Sequence, residues 1–300
     1  MPNKETRNVR SLRKRVKKEY TEDDDEYYEE TPKEKKAKLV KTSSKKGAPS
    51  SYSGDSKEVL GNNSFEKAIA LFEKTDPALS DFIKSCDDPN TLMDVKMNAY
   101  QTLVKIIISQ QLSTSAARSI MTKFIKLFLK EGESTEPDHQ FKAHPHFPTP
   151  EIVKETSPER LRSAGISFRK AGYLLIISEK FSDKNYLLND DKKLNDMSNE
   201  DIARLLIDLK GIGPWAVDIF LLLYMKRSDI FPISDAGIRK GLSMLIQNTS
   251  GKKGKKLNYL SIEEMEKYSE NWKPYRSVAS WYLMKVSSPE RVKGYLKIRE

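Results

Sequence analysis

Two short strings hold the residues whose types and spacing could do chemistry. The first is Leu209–Ala216, LKGIGPWA. Gly211 and Gly213 permit positive φ and let backbone come close to a partner. Pro214 suits the first turn of a helix, where its missing N–H costs nothing. In such a turn the amides of Gly213 and of the residues past Pro214 point outward at a helix N-terminus, which binds phosphate oxygens without reading base sequence. Lys210 adds a point charge beside them. A lone Gly-x-Gly occurs in many plain helix–helix turns; the flanking Leu, Pro-Trp and apolar helices make this string more specific. The second string is Phe231–Arg239, FPISDAGIR. Asp235 stands where a helix is predicted to start, and Asp is a common N-cap. A carboxylate facing a site beside the hairpin could also stabilise an oxocarbenium-like sugar as a nucleobase leaves, and orient or deprotonate the attacking water. The two roles are compatible, because a capping carboxylate has a fixed position.

The elements that must position these strings read as helices. Phe65, Ile69 and Phe72 recur at helical spacing, and Asp76-Pro77 opens a second helix with Leu79, Phe82 and Ile83 on one face. Tyr100 to Phe128 is amphipathic, through Leu103, Ile106 and Ile107, then Leu112, Ala116, Ile120 and Phe124. Pro158 opens a helix through Leu161, and Gly165 to Phe181 forms another with Tyr173, Leu174, Ile177 and Phe181 toward a core. Ser198 and Asp201 resemble a capping box before the helix carrying Ile202, Leu205, Leu206 and Leu209. A helix after the hairpin runs to about Met225, one begins near Asp235, and Glu263–Tyr268 and Tyr275–Val286 supply the last two. Sustained period-2 alternation is absent, so the expected fold is all-α.

Composition narrows the partner. With 53 Lys and Arg against 43 Asp and Glu, the net charge of +10 suits a polyanion, although a basic tail alone produces the same excess. Residues 1–60 differ from the rest: basic RSLRKRVKK at Arg10–Lys18, acidic Glu22–Glu30, lysine-rich Lys33–Lys46, then Ser, Gly and Pro. Too few apolar residues occur there to offset chain entropy, so this segment is expected to be a disordered tail ahead of a domain over residues 61–300. Its basic clusters read as nuclear-import signals, loose DNA tethers or a solvated tail. Cys86 is the single cysteine, which excludes an internal disulfide and a four-cysteine cluster. His139, His144 and His146 lack a matching carboxylate or cysteine set and read as a polar loop, so no metal is expected. No apolar run reaches the ~20 residues that span a bilayer, and no apolar signal core follows Met1; a soluble intracellular protein is expected.

Taken together, LKGIGPWA and the later PISDAGIRKG resemble the helix-hairpin-helix DNA glycosylase superfamily. Three further segments are similar to its alkylation-repair branch, above all to the fungal 3-methyladenine DNA glycosylases. They are IIISQQLSTSAA at Ile106–Ala117, GISFRKAGY at Gly165–Tyr173 and KPYRSVA at Lys273–Ala279. The likeness extends over about Ser64 to Tyr295. It implies two helical subdomains with a damaged base bound in the cleft between them. Lys210, Gly211 and Gly213 would grip lesion-strand phosphates, Asp235 falls on the family's catalytic aspartate, and Gln111 matches the segment that inserts where a nucleotide is flipped out, or is a helix-capping or core-edge Gln. Members that also cut the strand place a Lys directly after the hairpin; Trp215 stands there, which implies a monofunctional enzyme using water. An aromatic face at Trp215 also suits alkylated purines that carry a positive charge, although Trp215 taken without the resemblance reads as core packing. Some members hold a monovalent cation on the hairpin carbonyls; no other cofactor is expected.

The chain departs from its relatives in places. Met284 and Ile219 stand where some of them have aromatic pocket residues. Trp281 or Tyr282, on the same helix as Met284, is either a substitute for the base pocket or core. Arg276 and Arg169-Lys170 either contact DNA or brace the fold. The implied protein is a monomer acting on double-stranded DNA with alkylated bases, located in the nucleus. Two rivals remain open: an oxidised-base glycosylase with lyase activity, and a non-catalytic damaged-DNA-binding module in which Asp235 is only an N-cap.

Overall fold

A computed structural model describes residues 57–86, 92–130, 133, 143–249 and 257–286. Among them the regular structure is helical, and the β-pairing is a single bridge between Val59 and Arg227. The expected tail lies largely outside the described residues, as do His139 and most of the lysine-rich loop after Gln247. The boundary at residue 60 is corrected: Leu60 N–H donates to Lys226 O and Ser228 N–H to Glu58 O, with Leu60 buried at 5% exposure. Residues 57–60 therefore belong to the folded body.

Two groups of helices form. The flanking group takes both ends of the described residues: α1 (Ser64–Thr75), α2 (Pro77–Lys84), α11 (Ala236–Thr249), α12 (Ile262–Ser269) and α13 (Arg276–Val286). The middle group is α3 (Ala99–Ser109), α4 (Thr114–Lys126), α5 (Pro150–Lys154), α6 (Pro158–Ser163), α7 (Phe168–Phe181), α8 (Asp191–Asp196), α9 (Asn199–Ile207) and α10 (Pro214–Leu223). Within the flank, α11 packs on α13 and α2 on α1 and α11; in the middle, α3 packs on α4, α7 and α10, and α10 on α9.

Short polar caps set the helix starts, at Asp76 and Ser198 as the sequence predicts and at further positions it did not single out. Asp76, Asn98, Ser113, Ser157, Ser167, Asp190 and Ser198 each accept a first-turn amide from their own helix. The reciprocal capping box occurs at Ser261 and Glu264, while Ser198 Oγ instead donates to Asp201 Oδ2 at 2.7 Å. Two expectations are corrected. The helix expected from Gly165 starts at Phe168, because Gly165 turns the chain at φ +92° and Ser167 caps the helix at its new start. The amphipathic run over Tyr100 to Phe128 breaks at Gln110–Ser113, and Leu112, expected on the buried face, is 39% exposed. The reason is local: Gln111 has φ +56°, which no α-helix accommodates.

Candidate active site

The hairpin joins α9 to α10 as expected. Leu209 and Ile212 bury its two sides, and Ile212 N–H donates to Leu209 O at 3.1 Å. Gly211 has φ +86°, and a Cβ there would sit 2.3 Å from Tyr173 Cδ2, so both conformation and space require glycine. Gly213 does not use its freedom, lying at φ −113° and ψ −176°. Its contribution is the absence of a side chain: it is the N-cap of α10, with Pro214 next, and nothing caps the first-turn amides from its own position. Lys210 is exposed beside them. Gly211 O accepts Gln110 Nε2–H, and Leu209 O accepts Ile212 N–H; each carbonyl keeps a second lone pair, the neutral oxygen chemistry that a monovalent cation takes.

Asp235 lies where the flank meets this hairpin. Its Oδ1 accepts Ile238 N–H at 2.9 Å, the N-capping contact of α11. Its Oδ2 accepts the indole Nε1–H of Trp215 at 2.8 Å. Both carboxylate oxygens are thus aimed by donors from two different helices, and the side chain remains only half-buried. The loop leading to it is braced from behind. Ser277 Oγ donates to Arg227 O and accepts Ile230 N–H at 2.9 Å, and Ser280 Oγ donates to Ile230 O at 2.9 Å. Arg276 grips Asp229 through Nε at 2.6 Å and a second guanidinium nitrogen at 2.9 Å, with 11% of its side chain exposed. The guanidinium is therefore committed to bracing the loop ahead of Asp235.

Gln111 is exposed at the tip of the α3–α4 turn, next to exposed Leu112. Trp281 and Tyr282 are core residues at 2% and 1% exposure, with Lys285 Nζ at 4.8 and 5.1 Å from their ring centres. Tyr282 also packs on Phe65, 6.3 Å between centroids, inside the flank. Lys226 lies near the start of the loop after α10, its ammonium on Leu223 O. That is the far end of a ten-residue helix from Trp215, about 15 Å away by helical rise. Among the described residues no group of three or more His, Cys, Asp or Glu could hold a metal, and no helix is long and apolar enough to cross a membrane.

Sequence reasoning missed the Trp215–Asp235 hydrogen bond and the parts played by Gln110, Lys170 and Tyr173. The last two stand three apart in RKAGY, so they share a face of α7, which was the available signal. What each touches lies some forty to sixty residues away and leaves no local trace.

An all-α body in two groups, with a glycine hairpin and a capping aspartate at their junction, is the architecture of helix-hairpin-helix base-excision proteins. The chain belongs to the HhH-GPD superfamily of base excision DNA repair proteins, whose pattern residues 104–267 match. DNA-3-methyladenine glycosylase 1 of Schizosaccharomyces pombe is 32% identical over 199 residues, covering 66% of this chain and 76% of its own length. The DNA-3-methyladenine glycosylase of Saccharomyces cerevisiae is 31% identical over 228 residues, covering 69% and 71%. The solved structure of an S. pombe 3-methyladenine DNA glycosylase in complex with abasic DNA superposes with a TM-score of 0.58 at 28% identity, over 74% of this chain and 96% of that one.

Proposed function

We propose that this protein is a monofunctional DNA glycosylase that extrudes alkylated purines, of the 3-methyladenine and 7-methylguanine type, from double-stranded DNA and hydrolyses the N-glycosidic bond. The observation that carries the reading is the Asp235 carboxylate, fixed by Trp215 Nε1–H and Ile238 N–H beside the hairpin. The names of the two yeast relatives support the substrate class. Each Asp235 oxygen keeps a lone pair after its hydrogen bond. One faces charge developing on the sugar as the bond electrons leave with the base; water then adds its oxygen to C1′ and gives up its proton to the Asp235 carboxylate, which passes it to solvent. A cationic alkylpurine leaves as a neutral base, so no general acid is required. Trp215 occupies the position after the hairpin, so no amine nucleophile stands there, and Lys226 sits at the opposite end of α10. The hairpin amides and Lys210 hold the lesion-strand phosphates, and Gln111 fills the gap left by the flipped nucleotide. A monovalent cation on the hairpin carbonyls would add charge toward those phosphates; the bond-breaking step does not pass through it. The protein acts as a monomer in the nucleus.

Mass analysis of free bases released from methylated duplex DNA tests this. The wild type should release alkylated purines and leave the strand intact until alkali is added. Asp235→Asn should lower release by about a hundredfold or more. Undiminished release by a folded Asp235→Asn protein removes the catalytic assignment, and strand cleavage without alkali restores the lyase alternative.

A further inference from the structure

The Gln111 turn and the hairpin come from distant stretches of chain, yet three side chains tie them together. Lys170, on α7, reaches the C-terminal end of α3 and donates from Nζ to Ile108 O at 2.9 Å and Gln110 O at 2.7 Å. A helix leaves its last carbonyls without intrahelical partners, and its dipole favours a cation there. Gln110 in turn donates from Nε2 to Gly211 O of the hairpin at 2.8 Å. Tyr173, on the same face of α7 as Lys170, fills the space over Gly211. One helix face thus touches both DNA-directed loops, and Gln110 closes the triangle. The residue so fixed immediately precedes Gln111 and its left-handed turn.

We infer that Lys170 is a positioning residue for base extrusion: with Gln110 it holds the Gln111 turn at a set offset from the phosphate-gripping hairpin, so that insertion and grip act as one rigid unit. The inference rests on the glycosylase reading above. A turn fixed before binding does not lose that freedom when DNA arrives, which favours the inserted state. The location is also a costly one for an ammonium. Burial, and to a lesser degree neighbouring Arg169, lower the Lys170 pKa to about 8. An apolar side chain of similar length would fill the space without that cost, but could not hold two carbonyls at once.

The test compares Lys170→Met, Lys170→Arg and Asp235→Asn on two duplexes, one carrying an uncleavable tetrahydrofuran abasic analogue and one undamaged. Lys170→Met should lose about tenfold in preference for the analogue, the effect of removing hydrogen bonds from a charged donor. Its affinity for undamaged duplex should hold, because the hairpin amides remain. Its single-turnover release of 3-methyladenine at saturating protein should fall by a similar factor. Lys170→Arg should restore most of the preference. Asp235→Asn should keep the full preference and lose release alone. A Lys170→Met protein with wild-type preference and release overturns the inference and leaves the glycosylase reading standing. Equal loss on both duplexes overturns it too, since that reflects general damage to the fold. If Lys170→Met does not fold, Gln110→Leu makes the same comparison by cutting the link to Gly211, and unchanged preference there is equally fatal. A wild type that neither prefers the analogue nor releases base removes the glycosylase reading and the inference with it.

Discussion

At the scale of single residues, the Trp215–Asp235 hydrogen bond carries the most consequence. The indole edge is committed to Oδ2, so the ring's faces are what a base of the proposed cationic class would meet. Trp215→Phe keeps a ring and removes the donor. Base release should fall by about tenfold, as expected for a hydrogen bond to a charged group, with little change in affinity for DNA. Single-turnover kinetics beside a binding isotherm separates the two; an unchanged rate would show that Ile238 N–H alone aims the carboxylate. The cap and the chemistry can also be told apart. Asn caps a helix as well as Asp does. Asp235→Asn should therefore keep the cap through its amide oxygen but set its NH2 against Trp215 Nε1–H, melting slightly below the wild type while losing activity, whereas Asp235→Ala, which loses the cap as well, should lose about 1 kcal/mol more.

At the scale of elements, two close approaches and one helix end are decisive. Gly211 against Tyr173 is the first. At the second, a Cβ on Gly241 would lie 2.3 Å from Leu283 O, so α11 and α13 meet backbone to backbone. Gly241→Ala must push these helices apart, at a cost of about 1–3 kcal/mol. Chemical denaturation checks it, and a neutral result would mean that α13 shifts freely. Because α13 braces the loop ahead of Asp235, activity should fall with stability. Lys226, past the end of α10, supplies a pH test. Burial lowers its ammonium to about 7, with Asp94 acting in the opposite direction. The unfolded chain, at the ordinary 10.5, binds a proton that the folded chain releases between those values. Folding stability from this group therefore rises with pH from about 7 toward 10. Against Lys226→Met, which lacks the titration, the wild type should gain melting temperature between pH 7 and 9. Parallel melting curves for the two proteins would refute this.

At the scale of the whole molecule, the segment before α1 ties the two groups together. Val59 and Leu60 pair with the loop after α10, and buried Arg227 donates to Lys57 O as well as to Leu194 O and Met197 O beside α8. One guanidinium thus joins the N-terminal segment to the middle group. A chain beginning at Lys57 should melt near the full-length protein. A chain beginning at Ser64 should melt several degrees lower, having lost the buried Leu60 and the contacts to Arg227 and Ser228. Equal melting of the two truncations would assign that segment no stabilising part.

The sequence by itself determined the helical fold, most helix starts and the two strings of the site. These are local properties: a 3.6-residue apolar period, Ser, Asp or Asn ahead of Pro or an apolar run, and glycines where a turn needs them. The identity of the residue after the hairpin, Trp215, was equally legible. The tertiary structure decided how those parts meet. That Trp215 donates to Asp235, that Arg276 is occupied by Asp229, and that Trp281 and Tyr282 lie in the core are facts about packing between elements. So is the role of Gly241, which depends on a carbonyl of another helix. Even the break at Gln111 escaped an apolar pattern that ran through it unbroken, because periodicity records which face is apolar and not whether the backbone stays helical. Distant contacts leave no periodic trace, and a hydrogen bond between residues twenty or a hundred positions apart exists only once the fold has brought its donor to its acceptor.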